Sequence, residues 1–154
     1  MNDPDRTFSE ARARAMGLLA QREHGRAELQ SKLIAKGVDA GVAADVIEKL
    51  RSDGLQSEER FAAALVRRRI SRGYGPVYIR GELRKRRVDD DVADAELNRT
   101  DEFWLQRAVE ALARKFPAGK GREAPYNTRA RFLARRGFPA DTVYRALRTE
   151  SEYA

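Results

Sequence analysis

The 154-residue sequence contains no cysteine and a single histidine. Without thiols there is no disulfide framework, no thiolate nucleophile and no thiolate zinc site. The lone His24 lies in Arg22-Glu-His-Gly25, an expected turn between helices, where capping or packing outweighs acid–base work. Long apolar runs are missing as well. The longest, Phe61-Ala-Ala-Ala-Leu-Val66, falls far short of the roughly 20 residues a membrane span needs. The N-terminal Met1-Asn-Asp-Pro-Asp-Arg6 has no basic stretch followed by an apolar one, so export is not expected and a cytoplasmic location is. Gly119-Lys-Gly121 lacks the spacing and following hydroxyl of a phosphate loop, and Asp89–Asp91 lacks the alternating oxygen ligands and closing Glu of a calcium loop. The expectation is a protein without catalytic, cofactor or metal site.

Aromatic residues are few, 8%, and no run of alternating β-branched residues is flanked by hairpin turns, so no strand is assigned. What is abundant is charge, 36% of residues, set among Ala and Leu in the pattern of amphipathic helices. Basic side chains number 31 and acidic ones 24, giving +7 and an expected anionic or nucleic-acid partner.

Three ungapped segments echo one another at a spacing of fifty: Ser31-Lys-Leu-Ile-Ala-Lys-Gly-Val-Asp39, Gly81-Glu-Leu-Arg-Lys-Arg-Arg-Val-Asp89 and Arg131-Phe-Leu-Ala-Arg-Arg-Gly-Phe-Pro139. Each carries a core Leu (Leu33, Leu83, Leu133), then a left-handed helix end (Gly37, Arg87, Gly137) and an apolar residue. Asp39, Asp89 or Pro139 then opens the next helix. Arg87 departs from glycine at a cost of about 1 kcal/mol. Apolar spacing gives three helices per copy. The first copy starts near the capping box Thr7-Phe-Ser-Glu10, with Met16, Leu18 and Leu19, then Leu29, Leu33 and Ile34, then Val42, Val46, Ile47 and Leu50 as its stripes. The second starts near Ser57, breaks at Gly73-Tyr-Gly-Pro76 and ends in a short helix; the third starts near Thr100 and has its longest loop between Pro117 and Pro125. The fold class expected is all-α: three tandem three-helix repeats, residues 7–54, 55–99 and 100–149, in an elongated, curved rod, since single units of this size bury too little surface alone.

Between Arg67 and Arg87 stand nine basic side chains against the single acid Glu82. Arg80, Arg84 and Arg87 form a stripe beside the buried Ile79 and Leu83, and Arg67, Arg68, Arg69 and Arg72 end the preceding helix, with Tyr74 in the break. Arg129, Arg131, Arg135 and Arg136 surround Phe132 in the third unit. Acids crowd Asp89 to Glu102, where helix capping alone accounts for many of them. Tyr74 and Tyr78 have the chemistry to stack on bases, though packing on a neighbouring helix is the commoner use. A base-reading helix-turn-helix fits poorly: the helices after the turns carry Asp45, Glu48, Asp90, Asp91 and Asp94, which a major groove repels. The candidate binding residues are therefore Arg67, Arg68, Arg72, Tyr74, Arg80, Arg84, Arg87, Arg129, Arg131 and Arg135.

Arg22-Glu-His-Gly-Arg-Ala-Glu-Leu29, Arg72-Gly-Tyr-Gly-Pro76 with Ile79-Arg-Gly-Glu-Leu83, and Arg131-Phe-Leu-Ala-Arg-Arg-Gly-Phe138 resemble the signatures of the RecX family of recombinase regulators, over about residues 14 to 148. The resemblance implies three three-helix repeats in a cytoplasmic bacterial protein of recombinational repair and the SOS response. It implies a non-enzymatic modulator that binds the RecA recombinase filament and most often inhibits it. A monomeric basic rod lying in the filament groove, bridging protomers and hindering ATP hydrolysis and strand exchange, is the expected mechanism. The alternative is a non-specific protein of single- or double-stranded DNA that acts by competing for DNA. At Arg87 the family tends to have Gly, and at Gly25 a Ser is common.

Overall fold

The computed structural model describes residues 3–117 and 124–152. Among these, nine helices and no strand are found: α1 (Pro4–Gln21), α2 (Arg26–Ala35), α3 (Ala40–Ser52), α4 (Glu58–Ser71), α5 (Pro76–Lys85), α6 (Asp90–Leu97), α7 (Asp101–Lys115), α8 (Tyr126–Arg135) and α9 (Ala140–Glu152). Every helix pair in extensive contact belongs to one triplet, α1–α3, α4–α6 or α7–α9. The chain exposes 9628 Å² of surface for 17.4 kDa. A compact monomer of that mass exposes roughly 7,900 Å², so the triplets lie in an elongated array.

The repeat is built on its turn. Leu33, Leu83 and Leu133 are all fully buried. In each copy the residue five positions on returns its N–H to that leucine's carbonyl: Val38 to Leu33 at 3.0 Å, Val88 to Leu83 at 3.0 Å and Phe138 to Leu133 at 3.2 Å. This closure requires a left-handed residue just past the helix, supplied by Gly37 (φ 91°), Arg87 (φ 57°) and Gly137 (φ 90°). The substitution of arginine thus leaves the turn intact and stores strain in it. Ser57 and Thr100 cap α4 and α7 through their hydroxyls, as expected, and Asp39 caps α3.

Three expectations are corrected. The first helix starts at Pro4 with Asp3 as its cap, not near Thr7, because proline in the first turn after an aspartate is the stronger start; the Thr7 hydroxyl instead donates to the Asp3 carbonyl. The buried positions of α1 are Ala11 and Ala15, with Met16, Leu18 and Leu19 only half covered against the same core. Ile34 is 45% exposed rather than core. The expected long loop before Pro125 falls largely on residues 118–123, as does Gly119-Lys-Gly121, and lies outside the described residues.

The array has two cores, not three. Leu29, Leu33, Val46, Ile47 and Leu50 close the first triplet by itself, whereas one continuous cluster runs from Phe61 and Leu65 through Leu83 and Leu112 to Leu133 and Leu147. The joint between first and second triplets is polar. The Arg26 N–H donates to Glu58 Oε1 at 2.6 Å, Gln56 Nε2 donates to the His24 carbonyl at 3.2 Å, and Arg60 pairs with Glu23 at 2.9 Å. The joint between second and third is a backbone contact: Gly75 N–H reaches the Arg136 carbonyl at 2.6 Å, and Val77 N–H the Gly137 carbonyl at 2.9 Å. A Cβ on Gly75 would stand 2.6 Å from the Gly137 oxygen.

Two changes test the turn. Arg87→Gly should stabilise the chain by about 1 kcal/mol by removing a left-handed non-glycine residue. Gly137→Val should destabilise it by more than that, since a Cβ there meets Tyr78 Cβ at 2.3 Å. Urea unfolding midpoints measure both; an Arg87→Gly midpoint at or below wild type would remove the strain. Leu83→Ala should cost about 2–5 kcal/mol in the same assay, and an unchanged midpoint would place the core of the repeat elsewhere.

Candidate functional site

Chemistry at His24 is excluded by its surroundings. The ring is buried, its Nδ1–H donates to the Arg22 carbonyl at 3.1 Å, and its Nε2 accepts from Lys32 Nζ at 3.1 Å. Burial lowers its pKa, only partly opposed by the bond to the Arg22 carbonyl, so at neutral pH it is an uncharged strut. Among the described residues no group of His, Asp or Glu side chains suited to a metal is present.

The ends of the helices instead bring cations together. In the second triplet Arg68, Arg69 and Arg72 leave the last turn of α4, where the dipole favours them. They meet Arg22 and Arg86 over Phe61 and Leu65 in a concavity of about 210 Å³. Arg72 is also a wall of the next one, about 200 Å³, with Arg114, Lys115 and Arg136 around Gly73 and Phe132. Lys115 and Phe132 then continue into a third of about 310 Å³, with Arg131 and Arg135. Three concavities joined by shared residues thus make one basic lane across all three triplets, with no Asp or Glu in any wall among the described residues. The larger concavity of about 510 Å³ behind the first joint is mixed, with Glu48, Glu58, Glu59 and Asp89 beside Arg26, Arg51 and Arg60, and has no preference for one sign.

Two carboxylates beneath the lane hold its arginines in place. Glu28 accepts from Arg22 at 2.7 Å and from Arg86 at 2.9 Å, and Glu82 accepts from Arg69 at 2.6 Å. Their side chains are 9% and 14% exposed. Burial pushes the Glu28 carboxyl up, but the bonds from Arg22 and the charges of Arg22 and Arg86 outweigh it and lower it to about 2. The bond from Arg69 likewise lowers Glu82, against burial. By contrast Arg68, Arg72, Arg131 and Arg135 are exposed, and their side chains make no hydrogen bond or ion pair among the described residues.

The sequence-derived candidates divide accordingly. Arg68, Arg72, Arg131 and Arg135 line the lane; Arg67 is exposed on α4 beside it. Tyr74 lies under the Arg136 guanidinium, 4.7 Å from its ring centroid, which realises the packing role. Arg129 is half buried and donates to the Ala124 carbonyl. Arg80 and Arg84 face α6, where they pair with Asp94 and Asp90, so the stripe on α5 is partly neutralised by the acidic cluster while staying at the surface. Exposed pairs of that kind contribute about 0–1 kcal/mol; their effect is to neutralise. Residues the sequence did not offer, Arg22, Arg86 and the adjacent Arg114 and Lys115, stand at the ends of three helices, α1, α5 and α7, and join the lane only in the fold; the basic last turns of α5 and α7 were the available signal.

Comparison with known proteins bears on this geometry. Residues 11–50 match the family model described as RecX, first three-helix domain, and residues 57–97 that of RecX, second three-helix domain. A regulatory protein RecX of Halorhodospira halophila (strain DSM 244 / SL1) is 42% identical over 153 residues, covering 99% of this chain and 95% of the relative. One of Xanthomonas axonopodis pv. citri (strain 306) is 38% identical over 140 residues, covering 90% and 86%. The crystal structure of RecX from Lactobacillus salivarius superposes with a TM-score of 0.78 at 23% identity, covering 94% of this chain and 97% of that one.

Glu28 makes the first joint acid-sensitive. Its folded-state pKa of about 2 lies below the ordinary carboxylate value of 4.5, so its contribution is complete above about pH 5 and is lost as pH falls toward 2. Melting curves across that range should decline less steeply for Glu28→Gln than for wild type; parallel declines would show that Glu28 is not the titrating group.

Proposed function

Because the chain belongs to the RecX family of regulatory proteins, we propose that it binds the filament that the RecA recombinase forms on DNA and slows ATP hydrolysis and strand exchange there. The observation that carries this reading is the continuity of the lane from Arg22 to Arg135 across three triplets. A helical filament offers a repeating anionic surface, and an elongated rod with one continuous cationic side can engage several repeats at once. Each contact is individually modest, but joined on one body they add as an intramolecular gain in effective concentration. A rod held by successive protomers resists their relative movement, and that movement accompanies ATP turnover. The chain needs no catalytic group for this.

Arg68, Arg72, Arg131 and Arg135 are the residues to change, since they are exposed and their side chains make no hydrogen bond or ion pair among the described residues. Reversing all four to Glu should leave the melting temperature near wild type, because surface changes away from special features stay within about 0.5 kcal/mol each. Binding to RecA filaments on single-stranded DNA should fall on the order of tenfold or more, with inhibition of the ATPase lost in parallel. Inhibition at wild-type concentrations by the folded variant would refute the lane. If wild-type protein bound bare strands as tightly as filaments, and excess DNA abolished inhibition, competition for DNA would replace filament binding as the mechanism.

A further inference from the structure

We propose that Tyr78 is a stacking platform for one unpaired nucleobase, at the edge of the basic lane. The proposal rests on the reading of the lane as an anion-binding surface, takes the phosphates of a DNA strand as the anion, and adds a reason to prefer single strands. Tyr78 stacks on Tyr74 with ring centroids 4.3 Å apart and an interplanar angle of 23°. The Arg136 guanidinium lies over Tyr74 at 4.7 Å and 5.2 Å from Phe132, whose ring meets Phe116 edge-on at 5.6 Å. The result is a ladder of alternating rings and cation from α7 to α5. Its inner end, Phe116, is buried; its outer end, Tyr78, is 40% exposed.

Stacking is tolerant of sequence because every base has a π-face, whereas bases inside a duplex have both faces covered. Tyr78 meets the other requirement, that the platform be held before the ligand arrives. Tyr126 and Tyr144 are more exposed, at 50% and 57%, but neither contacts another ring or a cation among the described residues. Position matters as well. Tyr78, Glu82 and Arg86 follow one another by four along one face of α5, and Arg86 is a wall of the lane. Arg69 is fixed on Glu82, one helical turn along α5 from Tyr78. A strand whose phosphates follow Arg72 and Arg86 can therefore turn one base onto Tyr78 without leaving the cations.

The full chain is irradiated with oligothymidylate carrying 5-iodouracil, which couples to a stacked aromatic ring, and the adduct is mapped by mass spectrometry. The adduct is expected on Tyr78; adducts confined to Tyr126 or Tyr144 would overturn the proposal. Single-strand affinity should fall about tenfold in Tyr78→Leu, which keeps Tyr74 covered, and return in Tyr78→Phe, with duplex affinity unchanged in both. If Tyr78→Leu binds single strands like wild type while the four-arginine reversal does not, the platform is refuted and the lane stands. If the reversal itself leaves single-strand binding intact, the lane reading falls first. Loss of filament binding by Tyr78→Leu with bare-strand binding unchanged would make Tyr78 a protein contact, again overturning the proposal. Should Tyr78→Leu melt early, the adduct on wild type and on Tyr78→Phe decides alone.

Discussion

The array depends on two helix starts that cannot cap themselves. Both α2 and α5 begin after a glycine, Gly25 or Gly75, with no side chain to accept from the first-turn N–H groups. Those donors are expensive to leave unpaired once water is excluded. In each case the next triplet supplies the acceptor: Glu58 for Arg26, and the carbonyls of Arg136 and Gly137 for Gly75 and Val77. Glycine is also what lets the neighbour come close, since a Cβ on Gly25 would stand 3.0 Å from the Phe61 ring and one on Gly75 would strike backbone. The missing side chain and the neighbour's acceptor are two halves of one joint, and the joints set how the triplets follow one another along the rod.

Joining the triplets this way also places the charge. Helix C-termini favour cations, and the joints bring the C-terminal turns of α4, α5, α7 and α8 to one side. Left alone, so many arginines would repel. Glu28 and Glu82, largely covered by the arginines they hold, offset part of that repulsion without entering the lane's walls. The acids of α6 act on the other side of α5, where they pair with Arg80 and Arg84 at the surface. One helix therefore has a neutralised face and a cationic one.

The turns and the triplets were legible in the sequence because a left-handed helix end and a buried leucine are local, and repetition at a spacing of fifty made them unmistakable even with Arg87 in place of glycine. The core of α1 was harder to read: small residues at Ala11 and Ala15 let helices approach closely, and bulk, which marks Met16, Leu18 and Leu19, is not the same as burial. The lane was only half legible. Arg68, Arg72, Arg131 and Arg135 announce themselves as runs, but Arg22, Arg86, Arg114 and Lys115 join them only through the joints. No linear pattern told the stripe at Arg80 and Arg84 that aspartates from the next helix would pair with it, although the acidic run at Asp89–Asp94 was in view.

The two joints differ in material, and the difference reaches the lane. The second and third triplets share one apolar core, which salt and pH leave largely untouched, so the concavities around Arg114, Arg136 and Arg131 form on a single body. The first triplet has its own core and is attached by ion pairs and hydrogen bonds. Arg22 and Arg86 belong to both structures: they hold Glu28 in the joint and stand in the wall of the first concavity. An anion seated there draws on the same guanidinium groups that Glu28 uses. It also spans the joint from the outside, between Arg22 of the first triplet and Arg68 of the second. The walls of that concavity and the attachment of the first triplet therefore share the same guanidinium groups, whereas at the second joint Arg114 and Arg136 serve both the lane and the attachment, donating to the Ser71 and Arg72 carbonyls, and the apolar core carries the rest.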